Sequence, residues 1–139
     1  FDTIEIQANT KAAKVDYSFE VATKGVSGTA REARLVLSDG QLTATALALF
    51  FGLAESSGHA LDLLYIDDPT QNLDMPCKEA LAKVVAELAQ RRQIVVSTQD
   101  EDFVTFLKGE GFPEDAVIHH ITGWDGNPSV KTTVPSGTA

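Results

Sequence analysis

Cysteine occurs once in this sequence, at Cys77, so no internal disulfide can form and a reducing compartment is expected. Basic residues are scarce: 11 lysines and arginines face 20 aspartates and glutamates, a net charge of −9. Duplex binding depends on lysines and arginines that displace counterions, so this balance excludes the chain as a main grip on DNA. Residues 1 to 40 hold five basic and six acidic side chains, which leaves nearly all the negative charge beyond them. No apolar run approaches the ~20 residues of a membrane span and no signal peptide is read, so no membrane partner is expected. Internal repeats and low-complexity segments are also missing. With 43% apolar and 22% charged residues in 139 positions, the composition fits one compact soluble domain.

The most informative stretch is residues 63 to 74, Leu-Leu-Tyr-Ile-Asp-Asp-Pro-Thr-Gln-Asn-Leu-Asp. An apolar run that ends on a turn signal predicts a buried strand. Asp67 and Asp68 then stand at its C-terminal end, where open α/β sheets place their ligand sites. Adjacent carboxylates repel each other and are costly to desolvate, which favours chemistry as the reason for them. One can hold a hard cation such as Mg²⁺ through oxygen, and the other can position a water. The plainer reading of Asp67 is a turn aspartate at a strand end.

Upstream lies Leu37-Ser38-Asp39-Gly40-Gln41, followed by an apolar segment from Leu42 to Ala54. Ser38 suits a helix N-cap, and Gly40 lets a backbone approach without a Cβ in the way. Leu42, Ala46, Leu49 and Leu53 recur at helical spacing, widened by Leu47 and Phe50. Serine and glycine at a helix mouth make an anion site, since free N–H groups and the helix dipole point the same way. Phosphate is the natural anion, although Ser38 alone could be only a cap.

Together these stretches resemble the C-terminal half of an ABC-type ATPase head. Residues 37–41 resemble the signature motif, 63–68 the Walker B strand with its catalytic carboxylate, and Asn72-Leu73-Asp74 the D-loop. Order and spacing agree across roughly residues 35 to 105. Within that class the likeness is to the SMC, RecN and RecF group and the zinc-hook repair ATPases. Transporter ATPases usually follow the signature with a polar, Arg-containing helix, whereas Gln41 here leads into an apolar one.

The resemblance implies an α/β fold, the C-terminal lobe of a P-loop head, with a mostly parallel sheet flanked by helices and a C-terminal hairpin. It implies an ATPase in which two heads sandwich ATP and Mg²⁺ and drive DNA repair or chromosome maintenance. Asp67 would hold the metal and Asp68 the water. Ser38, Asp39, Gly40 and Gln41 would meet the nucleotide on the opposite head, and Asp74 would contact that head. Gln99 stands where the family usually has a γ-phosphate-sensing histidine; a glutamine amide can hold a water or donate to phosphate but carries no charge. Asp68 stands where the family usually has glutamate, one methylene longer.

No GxxxxGK[ST] phosphate loop occurs in the sequence. In a P-loop protein that loop holds the nucleotide phosphates, so the chain is expected to be half of a head, inactive alone and without bound ATP or Mg²⁺. The absence of a methionine before Phe1 fits an excised piece. The expected partners are the N-terminal Walker A half, a second head in an ATP-dependent homodimer, DNA through other regions, and a nuclease or accessory protein. The expected location is the nucleoid-bearing cytoplasm or the nucleus. Two other readings stay open: a fragment of a transporter-like ABC ATPase, and a non-catalytic interaction module with vestigial motifs.

Along the chain, strands are expected at 3–7 and 15–21 with a turn at 8–11, and a loop or short helix at 24–34. A helix over 41–55, a strand over 62–67 and a helix from Met75-Pro76 through Ala89 follow. Residues 94–97 read as a short buried strand, 102–108 as a helix ended by Gly109 and Gly111, and 117–121 as a strand. Trp124-Asp125-Gly126-Asn127 reads as a hairpin turn before an edge strand at 130–134. Residues 1–134 form the expected lobe and 135–139 a disordered tail. Adjacent His119 and His120 point to opposite strand faces and are read as structural. Trp124 is read as a packing residue, and Cys77, near a helix start, as a slightly acidic but unreactive thiol.

Overall fold

The computed structural model describes residues 3–11, 14–22, 31–32, 35, 37–56, 62–110 and 116–134. Chain contacts divide it into two compact units, Phe1–Phe50 and Phe51–Ala139, with the boundary inside the first helix.

In the first unit, β1 (Thr3–Lys11) and β2 (Lys14–Ala22) form an antiparallel ladder, and β3 (Arg31–Glu32) pairs antiparallel with β2. The expected turn at 8–11 lies inside this ladder. Ala8 pairs with Tyr17, Asn9 with Asp16 and Lys11 with Lys14, so the connection is confined to residues 12 and 13, outside the described residues. Asn9 and Thr10 have turn chemistry, but strand register overrides it. Most of the expected loop at 24–34 also lies outside the described residues.

Helix α1 (Asp39–Ser56) starts two residues before its expected position. Ser38 caps it, because its carbonyl accepts the first helical bond from Leu42 N at 2.9 Å. Buried Leu37 packs against half-buried Leu42. The expected core stripe is corrected here: Leu53 is 68% exposed and Phe50 41%, while Phe51 and Ala54 are the buried positions. Apolar residues surround this helix, so periodicity could not select its inward face. Such helices belong in the interior of a larger body. Even so, no helix among the described residues is long and apolar enough to cross a membrane.

The second unit is built on a βαβ crossover. Strand β4 (Leu63–Asp67) pairs in parallel with β5 (Gln93–Ser97), in the register Leu63↔Gln93 through Asp67↔Ser97. Between them runs α2 (Met75–Ala89), with Leu81, Ala82, Val85 and Leu88 as its buried stripe. Helix α3 (Glu101–Gly109) packs on α2 through buried Phe103 and Leu107, one turn apart. Acids in its first turn and Lys108 in its last suit the helix dipole. Arg92 Nη1 donates to the Ala54 carbonyl at 3.2 Å and its Nη2 meets Glu55 at 3.0 Å, which ties the end of α1 to the entry of β5.

Neither parallel strand is buried on both faces as expected. Leu64 and Ile66 point inward, but Leu63 is 45% exposed, Tyr65 61% and Val95 42%. Parallel strands normally have both faces covered, so this pair has one covered face and one apolar open face. Among the described strands parallel pairing is confined to β4 and β5, and β1–β2–β3 is antiparallel.

The expected C-terminal hairpin is present as β6 (Ile118–Trp124) and β7 (Pro128–Thr133), closed by Gly126 at φ 75°. Trp124 is 76% exposed, contrary to the packing expected of it. It stands at the turn end of a two-stranded ribbon, opposite Pro128, with a register shift between Ile121 and Gly123. His119 and His120 pair with Thr132 and Lys131, and both are exposed. The end of the chain, 135–139, lies outside the described residues, as does Gly111.

Candidate functional site

At the mouth of α1 the Ser-x-x-Gln spacing of residues 38–41 closes a reciprocal capping box. Gln41 N donates to Ser38 Oγ at 3.3 Å, and Ser38 N donates to Gln41 Oε1 at 3.0 Å. Ser38, Asp39 and Gln41 are exposed and Gly40 is half-buried. The box commits an acceptor lone pair of Ser38 and the carbonyl of Gln41. It leaves the serine O–H and the glutamine NH₂ as donors, and donors at a helix N-terminus are what an anion requires.

The carboxylates lie in the second unit, at the C-terminal end of β4. Register places Ser97 beside Asp67, and the Ser97 hydroxyl donates to Asp67 Oδ1. That hydroxyl has one proton, so Tyr65 donates to Ser97 Oγ, at 3.3 Å. The result is a Tyr65–Ser97–Asp67 chain on the open face of the sheet. It orients Asp67 while its remaining lone pairs stay accessible.

Asp68 turns away from the strand. Its N–H donates to the Ser97 carbonyl at 2.8 Å, which extends strand pairing by one residue, and its φ is 43°. Left-handed backbone is uncommon outside glycine and costs about 1 kcal/mol or more, least for Asp and Asn. Gln71 Nε2 donates to Asp68 Oδ2 at 3.1 Å, so the carboxylate is held as well as turned. Pro69 and Thr70 are buried behind it, Leu73 N closes the turn on Thr70 O at 3.1 Å, and Asn72 is also left-handed at φ 62°.

The turn ends on Asp74, the N-cap of α2. Its Oδ1 accepts from Cys77 N at 3.0 Å, and Pro76 sits in the first turn. Hydrogen bonds from the Cys77 side chain and backbone hold the Asp74 carboxyl below its ordinary value. The same carboxylate pushes the Cys77 thiol up, which reverses the acidic shift expected from a helix start. Gln99 is exposed between Thr98 and Asp100, two residues past Ser97. Asp100, not Gln99, caps α3, accepting from Phe103 N at 3.1 Å.

Two clusters result, each described within its own unit. Ser38, Asp39, Gly40 and Gln41 form one, and Asp67, Asp68, Asp74 and Gln99 belong to the ends of β4 and β5. No group of three or more His, Cys, Asp or Glu side chains able to hold a metal occurs among the described residues. Mg²⁺ is bound by one or two carboxylates together with waters and substrate phosphates. Oxygen donors from Asp67 and Ser97 fit such an ion. Tyr65, Ser97 and Gln71 escape a reading of the sequence. The alternation of β4 was the signal for Tyr65 and the spacing of 68 and 71 around a proline the signal for Gln71, whereas Ser97 had none, since only strand register brings it beside Asp67.

No family model matches the chain. It is 33% identical over 130 residues to the DNA repair protein rad-50 of Caenorhabditis elegans, covering 81% of this chain and 10% of that protein. It is 33% identical over 104 residues to the DNA double-strand break repair Rad50 ATPase of Aeropyrum pernix, covering 73% of this chain and 11% of that protein. The chain thus spans about a tenth of the length of these relatives. Among solved structures, one from work on ATP-driven dimerization and DNA-stimulated activation of SMC ATPases superposes with a TM-score of 0.63 at 17% identity. That superposition covers 92% of this chain and 73% of the other and establishes the fold. Sequence relatives and fold neighbour agree in placing this chain with the C-terminal half of an SMC/Rad50-type ABC ATPase head.

Proposed function

We propose that this chain is the C-terminal half of an ATP-hydrolysing head that dimerises on ATP and serves DNA repair or chromosome maintenance. The arrangement at the end of β4 carries the reading: one carboxylate is fixed by a serine on the exposed face, and the next is swung out by a left-handed φ and held by Gln71. Asp67 holds Mg²⁺, and Asp68 orients the attacking water and accepts its proton. When bound, the ion neutralises charge on the phosphates. Both carboxylates act beside the phosphate loop of the N-terminal half, and without that half this chain is inactive.

Ser38, Asp39, Gly40 and Gln41 present donors to the γ-phosphate held by the second head, Asp74 contacts that head, and Gln99 faces the phosphate from the β5–α3 loop. The open apolar face of β4 and β5 supports a chain completed by further structure. DNA is engaged through other regions, with a nuclease or accessory protein as a further partner, in the nucleus or nucleoid.

The test uses the complete ATPase. Asp68→Asn is expected to keep ATP binding, slow hydrolysis by at least ~10²-fold, the lower end of general-base contributions, and hold the heads together. Asp67→Ala is expected to weaken binding of the Mg-nucleotide complex. Wild-type turnover by Asp68→Asn would remove the catalytic assignment of Asp68, whereas absence of turnover in the unaltered complete protein would leave a non-catalytic module as the better reading.

A further inference from the structure

Asp100 carries more partners than a helix cap needs. Its Oδ1 accepts from Phe103 N at 3.1 Å, and its Oδ2 lies 2.6 Å from Lys78 Nζ, with both side chains largely shielded from solvent. Its own N–H donates to Thr98 Oγ1 at 3.1 Å. These bonds join two segments that are distant in sequence. Lys78 stands one helical turn past Asp74, to whose carbonyl its N–H donates at 2.9 Å. Thr98 and Asp100 flank Gln99 on both sides.

We propose that Asp100, held by Lys78, is a positioning residue that fastens the Asp68–Asp74 turn to the loop carrying Gln99, so that the two move as one body during turnover. This rests on the ATPase reading above. Geometry makes the connection short: Gln99 is adjacent to Asp100, and Asp74 begins the helix whose first turn holds Lys78. A displacement of Gln99 by the nucleotide pulls on Asp100 and, through Lys78, on the Asp74 end of the turn that bears Asp68 and Asp74. A charged pair shielded from water transmits such a pull better than an exposed one, because water does not compete for it. The peptide N–H of Phe103 already satisfies the cap, so the ion pair is not needed to start α3.

Lys78→Met separates the two roles, since it removes the latch and keeps both helix caps. In the complete ATPase it is expected to melt within a few degrees of wild type and keep its KM for ATP within about twofold. Its kcat is expected to fall about 10- to 100-fold, the range seen when a supporting residue lets reacting groups drift. Lys78→Arg, which preserves the charge and the reach, should restore most of that loss. Hydrogen–deuterium exchange without nucleotide gives a readout independent of activity. Peptides covering 69–74 and 98–103 should lose protection together in Lys78→Met and regain it in Lys78→Arg. Unchanged kcat in Lys78→Met, or faster exchange in one segment alone, overturns the latch. If the unaltered complete protein does not turn over ATP, the ATPase reading has failed; if it does, and Asp68→Asn is slow while Lys78→Met is normal, only the latch has failed.

Discussion

Ser38 offers the sharpest separation between a helix cap and a ligand of a second head. The cap alone is worth little here. The Gln41 N–H···Ser38 Oγ bond is 3.3 Å, at the long end for such contacts, and the reciprocal Ser38 N–H···Gln41 bond at 3.0 Å survives loss of the hydroxyl. Ser38→Ala should therefore cost the lower part of the usual capping range, about 0.5–1 kcal/mol, or about 2–4 °C at most in a domain of roughly 150–250 residues. Ser38→Asp keeps an acceptor in the box and should melt like wild type. Its effect on a γ-phosphate is of another order: two like charges ~4 Å apart at an effective dielectric of ~20 repel by about 4 kcal/mol. That corresponds to about 10³-fold in association. Light scattering with ATP and thermal melting on the same full-length variant give both quantities. Collapse of ATP-dependent dimerisation with unchanged melting is the expected result. A Ser38→Asp protein that melts normally and still dimerises would refute the trans role and leave only the cap.

Phe103 is fully buried where α3 meets α2. Phe103→Ala should cost about 3–5 kcal/mol in chemical denaturation; a loss below about 1 kcal/mol would mean that the α2–α3 contact is not a closed core. Acid should loosen the region through Asp74 and Asp100, whose folded-state carboxyls sit below the ordinary 3.8, by the Cys77 bonds for the first and chiefly the Lys78 bond for the second. Such groups stabilise the fold fully above their unfolded value and lose that contribution as pH falls through the lowered one. In pH-dependent melting, Asp100→Asn should accordingly be less stable than wild type at neutral pH, with the gap closing below about pH 4. A gap that widens on acidification would contradict the assigned sign.

What could be read from the chain was local chemistry within about one helical turn. Helix α2 begins and ends where expected because Asp74, Pro76 and the stripe from Leu81 to Leu88 act within that range. Helix α3, expected over 102–108, runs from Glu101 to Gly109 with Asp100 as its cap. The misses are long-range. Asn9 and Thr10 look like a turn until their partners Asp16 and Val15 are known. Helix α1 shows apolar residues on every side, so no periodicity identifies Phe51 and Ala54 as its buried positions. The Lys78–Asp100 and Asp67–Ser97 pairs cross from one segment to another, and no spacing in the sequence announces them.

Asp68 shows how the two levels meet. Read as sequence, aspartate where the resembling family usually has glutamate puts the placing of a water in doubt, since the carboxylate is one methylene short. Its backbone changes that judgement. At φ 43°, immediately before Pro69, the position favours a residue that tolerates left-handed geometry, and aspartate does so more readily than glutamate. The shorter acid therefore fits the turn. Gln71 fixes Oδ2 from the other side of the proline at 3.1 Å. Asp68→Glu need not improve this site. It lengthens the carboxylate but strains the turn and displaces the Gln71 contact, so the fit of the acid at 68 belongs to the Asp68–Gln71 turn as a whole rather than to side-chain length.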